Sequence, residues 1–157
     1  NDLIIGTWDY LYGVIVQCNQ SIDKLVSLKE QDPENEYYEI YRSEVRAIRA
    51  MYYYYLLDMF ARVPIVESSL TQMADVKQSE RTDVFNFVKK ELEESIPLLE
   101  DAKSAENGEF YGRMTKAAAY FLMAKLALNE EVTPTMTGQT MFVRMERILS
   151  LRWMVKK

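Results

Sequence analysis

Acids, arginines and aromatic rings are the side chains of this 157-residue chain with the types and spacing for chemistry. Glu91, Glu93, Glu94, Glu100 and Asp101 lie close together. Two carboxyls hydrolyse a glycosidic bond when they face each other across a cleft about 5–10 Å wide. A run along one helix surface cannot face itself, so these acids read as a solvated face. Asp101, Glu106, Asn107 and Glu109 offer oxygens to calcium, but not at EF-hand spacing. Arg42, Arg46 and Arg49 line one helix face with Tyr53, and Glu39 sits one turn earlier. Arginine forks bind carboxylates through paired bonds. This ladder reads as a salt-bridge network with Glu39, Glu44 or a loop carboxylate. There is no His, so the Ser-His and Cys-His nucleophile pairs and His metal sites are excluded. One cysteine, Cys18, excludes an internal disulfide and a Cys-based zinc site. No P-loop, dinucleotide glycine pattern or nucleophile elbow occurs. The reading assigns no catalytic residue, no metal and no cofactor.

Binding is better served. A sugar needs a flat aromatic face for its C–H groups and planar polar groups for its hydroxyls. The chain has 11 Tyr and 2 Trp. Trp8, Tyr10 and Tyr12 are the candidate ligand contacts, although Trp8 and Tyr12 lie on an apolar stripe and Tyr10 lies off it. Asn19 interrupts the same stripe. A buried amide must be satisfied, so Asn19 is expected to bond a neighbouring loop. Tyr52, Tyr53, Tyr54 and Tyr55 cannot share one face, since a helix turns about 100° per residue. The stripe places Tyr52 and Tyr55 toward the core and sends Tyr53 and Tyr54 elsewhere.

The elements that position these groups are helical. Trp8, Leu11, Tyr12, Ile15, Asn19, Ile22 and Val26 recur at three- and four-residue steps and predict a helix over 7–28. Asp32-Pro33 reads as the start of a second helix reaching Phe60, with Tyr41, Val45, Ile48, Tyr52, Tyr55, Leu56 and Met59 as its stripe. Val63-Pro64 ends it. Residues 65–80 read as a polar connection. Thr82 opens a third helix carrying Phe85, Val88, Leu92 and Ile96, and Pro97 restricts its end. Asn107-Gly108 and Gly112 mark a loop. Thr115 caps a fourth helix with Ala118, Leu122 and Leu126, and its alanines permit close approach. No alternating strand pattern of useful length appears. The fold class is therefore all-α, with stacked helix pairs of the TPR-like kind and no strict repeat consensus.

Composition agrees: 48% hydrophobic, 27% charged and only 5 Gly and 4 Pro. The net charge of −5 argues against nonspecific nucleic-acid binding. Charge is uneven, however. Residues 1–132 carry 14 basic and 23 acidic residues, whereas 133–157 carry five basic residues and one acid. Four of the nine Met also fall in 133–157. The reading is a helical scaffold over 1–132 and an atypical basic, Met-rich tail over 133–157, foreign or frame-shifted. Met141, Met145, Ile148, Leu149 and Trp153 form a loose amphipathic stripe within it.

Four pieces in order resemble the SusD/RagB family. Arg42 to Leu56 (RSEVRAIRAMYYYYL) is similar to its "E-A-R-x-L-R-A-x-x-Y-x-x-L" signature. Trp8-Asp9-Tyr10-Leu11-Tyr12 leading to Asn19 resembles its first helix, and Val63-Pro64-Ile65-Val66 its "V-P-L-V". Gly112 to Ala119, then Leu122 to Lys125, resembles "G-R-x-T-K-x-A-A-x-x-L-L-A-K". Ala61-Arg62 stands where the family often has Gly-Asp or Gly-Gly, and Glu91 and Ser95 replace its frequent Asp and Ala. The resemblance implies a surface lipoprotein of the outer membrane that binds glycans or other nutrients with a TonB-dependent transporter, and not an enzyme. It implies that this chain is the N-terminal helical part, an incomplete domain without the signal peptide and lipid-bearing Cys. Cys18 lies inside a helix. A generic helical protein-interaction module is the alternative, and self-association through uncovered apolar faces is expected.

Overall fold

The computed structural model describes residues 2–101 and 112–132. Among the described residues, apolar side chains at helical spacing drive four helices: α1 (Asp2–Gln31), α2 (Tyr37–Phe60), α3 (Arg81–Ser95) and α4 (Lys116–Leu128). Short 3-10 turns occupy Met73–Asp75, Ile96–Leu98 and Asn129–Val132. Among the described residues there is no strand, only an isolated bridge between Pro64 and Gln78. The fold class is all-α, as read from the sequence. The tail over 133–157, the Asn107-Gly108 loop and the oxygens of Glu106, Asn107 and Glu109 lie outside the described residues.

Each helix runs antiparallel to the one before it. Trp8 near the start of α1 meets Phe60 at the end of α2, and Tyr53 of α2 meets Phe87 of α3. α1 covers one side of α2 and α3 the other, while α4 closes against α3 and the end of α2. The core between them holds Leu11 and Ile15 of α1, Ala47, Ala50, Tyr53, Leu56 and Leu57 of α2, Val84, Val88 and Leu92 of α3, and Leu122 and Leu126 of α4. Ala47 and Ala50 are fully buried, which lets neighbouring helices approach α2 closely.

Several boundaries differ from the sequence reading. α1 extends five residues earlier and three later than 7–28. Asp32-Pro33 does not open α2. Pro33 sits in the connection, where its carbonyl accepts from Lys29, and Asn35 Oδ1 instead accepts the N–H of Tyr37 at 3.1 Å. α3 begins at Arg81 without a side-chain cap, so Thr82 does not cap it. Thr115 does cap α4, with Oγ1 accepting from the Ala118 N–H. On α4 the buried alanines are Ala119 and Ala127, while Ala118 is exposed.

The turn after α2 forms despite the missing glycine. Ala61 adopts φ 60° and ψ −61°, with Arg62 N–H donating to the Phe60 carbonyl at 2.7 Å. This tight turn is strained for a residue with a Cβ. We expect Ala61→Gly to raise stability by about 1 kcal/mol in chemical denaturation, because the strain exceeds the extra chain entropy of glycine. An unchanged or lowered midpoint would show that Ala61 carries no strain. The same freedom is met at Gly112, whose φ of 79° starts the turn into α4.

Candidate functional site

The polar groups of the chain converge where α1, α2, α3 and the loop after α2 meet. Arg49 is 3% exposed and Glu91 2%. The Arg49 guanidinium donates from Nε (2.9 Å) and Nη2 (2.6 Å) to one oxygen of Glu91. Arg46 donates to the other oxygen at 2.9 and 2.7 Å and also reaches Glu94. The remaining Arg49 nitrogen donates to Asn19 Oδ1 and to the Glu67 carbonyl, both at 2.8 Å. Asn19 Nδ2 donates to the Val66 carbonyl at 2.8 Å. Asn19 thus has the loop partner that its place on an apolar stripe predicted.

This corrects the reading of Glu91. It does not lie on a solvated face with Glu93 and Glu94. It points inward between two arginines of α2, and sequence spacing alone could not show that partner. The ladder is a salt-bridge network as expected, and Arg42 takes Glu39 at 2.6 Å; Arg46 and Arg49 instead take Glu91 of α3, and Glu44 takes Arg113. A carboxylate that accepts two guanidinium N–H bonds at each oxygen is already fully engaged within the fold. The joint is built to hold helices and a loop in register.

The loop is pinned twice more. Tyr53 hydroxyl accepts the Val66 N–H at 2.8 Å and donates to its carbonyl, and burial pushes that phenol up to about 12. Asp23 Oδ2 accepts from Ser69 N–H (2.8 Å), Ser69 Oγ (2.6 Å) and Ser68 Oγ (3.1 Å). Burial alone would raise the Asp23 carboxyl, but these donors outweigh it and hold it below its ordinary value. The folded chain therefore binds this proton less readily than the unfolded chain. The stabilisation is complete above the ordinary carboxylate range and fades as pH falls through it. We expect Asp23→Asn to flatten the fall of Tm between about pH 6 and about pH 3. An unaltered acid limb in thermal melts would remove Asp23 from the pin.

The three aromatic candidates are placed differently. Trp8 is half-buried against Tyr12 (4.8 Å between centroids) and Phe60 (5.1 Å, edge-on). Tyr12 donates to the Pro64 carbonyl at 2.7 Å, and burial raises its phenol. Tyr10 is 62% exposed, its hydroxyl 3.3 Å from that of Tyr52. That bond, then burial, raises Tyr52 to about 12. The tyrosine run is the reverse of the expected arrangement: Tyr53 and Tyr54 are buried, Tyr52 is half-buried and Tyr55 is exposed. Cys18 is buried inside α1, and burial raises its thiol. Among the described residues no group of His, Cys, Asp or Glu is arranged to hold a metal ion. No helix there is long and apolar enough to cross a membrane.

Comparison with known proteins meets this geometry. A family model described as SusD-like, starch-binding associating with outer membrane, matches residues 1–128. The chain belongs to the SusD-like family. The starch-binding protein SusD of Bacteroides thetaiotaomicron is 32% identical over 109 residues, covering 69% of this chain and 18% of SusD. A laminarin-binding SusD-like protein superposes with a TM-score of 0.66 at 28% identity, over 78% of this chain and 26% of that one. A SusD homolog from Bacteroides thetaiotaomicron shares the fold with a TM-score of 0.75 at 22% identity, over 94% and 29%. The chain thus spans less than a third of the length of these relatives. SusD-like membership also accounts for the ordered motifs. The Arg46-Arg49 motif supplies the guanidinium groups of the joint, and Val63–Val66 the loop carbonyls that Tyr12, Asn19 and Tyr53 engage.

Proposed function

We propose that this chain is the helical scaffold part of a cell-surface glycan-binding lipoprotein that works beside a TonB-dependent transporter in the outer membrane. Its action is binding without chemistry. The observation that carries this reading is the SusD-like match over residues 1–128, which contains every element of the polar joint. The joint supports it physically, since the buried carboxylate Glu91 is committed to two arginines. Helices α1 to α3 form a rigid platform, and the ligand is an oligosaccharide. Among Trp8, Tyr10 and Tyr12, the ring of Tyr10 is the one open to a sugar. The platform face docks on the transporter barrel, and the uncovered Leu3, Phe121 and Leu128 promote self-association of the isolated chain.

Affinity capture from outer membranes of the source organism tests the partnership. Recovery of a TonB-dependent barrel supports it. Recovery of soluble partners without a barrel favours the generic interaction module instead.

A further inference from the structure

A second group of open aromatic rings lies at the start of α2, apart from Tyr10. Tyr37 is 64% exposed and Tyr41 44%. They are four residues apart, on neighbouring turns of one helix face. Their planes lie within 25° of each other with centroids 6.3 Å apart, so the two rings run nearly parallel. The guanidinium of Arg113 lies over the Tyr41 ring, its Cζ 5.8 Å from the centroid. Arg113 is itself clamped to Glu44 through two N–H bonds. The Arg42–Glu39 pair occupies the adjoining turn. At its base, the Tyr37 N–H is held by Asn35. The rings are thus set on a rigid helix, ordered by one another and by a charged rim, with most of Tyr37 left in water.

Tyr10 differs. Its ring is tilted 54° against Tyr52 and its hydroxyl is engaged there. Near-parallel open rings fringed by carboxylates and guanidinium groups match a pyranose, whose apolar C–H face lies on an aromatic plane while its hydroxyls reach planar polar groups. A peptide or lipid chain would be served by a contiguous apolar groove. The charged pairs bordering Tyr41 are unsuited to that.

We propose that Tyr37, ordered by Tyr41 and Arg113, is a pyranose-stacking contact of this chain. The proposal rests on the glycan-binding reading and adds a specific place for one sugar ring. Its ligand is a pyranose ring of an oligosaccharide, held weakly because a single ring stacks.

The test is affinity electrophoresis of the whole 157-residue chain through gels containing laminarin, xyloglucan or amylopectin, with calorimetry on any glycan that retards it. Tyr37→Ala is compared with Tyr37→Trp, Tyr41→Ala and Tyr10→Ala, and each variant's fold is checked by circular dichroism and Tm. Tyr37 is exposed, so its variants keep the wild-type Tm. We expect retardation of the wild type, about tenfold weaker binding for Tyr37→Ala, a smaller loss for Tyr41→Ala and retention by Tyr37→Trp. Equal binding by wild type and Tyr37→Ala would overturn the stack while leaving glycan binding intact. The same holds if only Tyr10→Ala abolishes retardation. Wild-type chain that no gel retards would sink both this contact and glycan binding by these residues.

Discussion

Glu91→Ala is expected to destabilise the folded chain by about 3–5 kcal/mol, enough to leave a domain of this size close to unfolding. The magnitude comes from what remains. Arg49 is buried beneath α3 with its guanidinium facing the vacated carboxylate, and Arg46 loses the same partner. An unpaired buried charge costs more than the pair contributed. Removing both charges, as in Arg49→Met with Glu91→Leu, is expected to cost less than Glu91→Ala alone, because the fully buried Arg49 charge is then not stranded and the part-buried Arg46 keeps Glu94. Asn19 Oδ1 and the Glu67 carbonyl still lose a donor in that double variant, so part of the loss persists. Urea denaturation of Arg49→Met, Glu91→Leu and the double variant measures the coupling. Strict additivity would mean that the three-helix joint is ornamental.

Tyr53→Ala is the second large effect, also about 3–5 kcal/mol. The ring is fully buried, edge-on to Phe87 at 4.9 Å and to Tyr12 at 6.4 Å. Its loss opens a cavity between α1, α2 and α3 and frees the Val66 N–H. Tyr53→Phe keeps the ring and removes only the hydroxyl that fastens the loop, so it is expected to cost about 1–2 kcal/mol. Tyr55→Ala, at an exposed position two residues on, is expected to stay below about 1 kcal/mol. Ranking the three by denaturation midpoint checks the inward face of α2. If Tyr55→Ala matched Tyr53→Ala, the helix would be rotated from the placement described.

The error over the tyrosine run has a physical source. α2 is packed on two sides, against α1 and against α3, so it has no single apolar stripe. A rule that seeks one stripe chose Tyr41, Tyr52, Tyr55 and Met59 because they are large and apolar. The structure buries Ser43, Ala47, Ala50 and Arg49 instead. Small residues admit a neighbouring helix, and a charged residue enters when its partner enters with it. α1 and α3 present simpler faces, and there Leu11, Ile15, Ile22, Val84, Val88 and Leu92 were legible or adjacent to legible positions.

The local code of the chain, taken alone, decided a good deal. Periodicity fixed the four helices of the described residues and where most of them lie, Val63-Pro64 marked where the chain leaves α2 and Gly112 where it turns into α4, and four ordered motifs pointed to the family. These are properties of neighbouring residues, set by sterics and by the 3.6-residue turn. What tertiary structure alone decided is which charge meets which. Glu91 lies 42 residues from Arg49 and 72 from Asn19, and although its place three residues after Val88 sets it beside the apolar stripe of α3, nothing local names its partners. Only the packing of α3 on α2 turns it inward, because burying that carboxylate is tolerable solely where two guanidinium groups already wait.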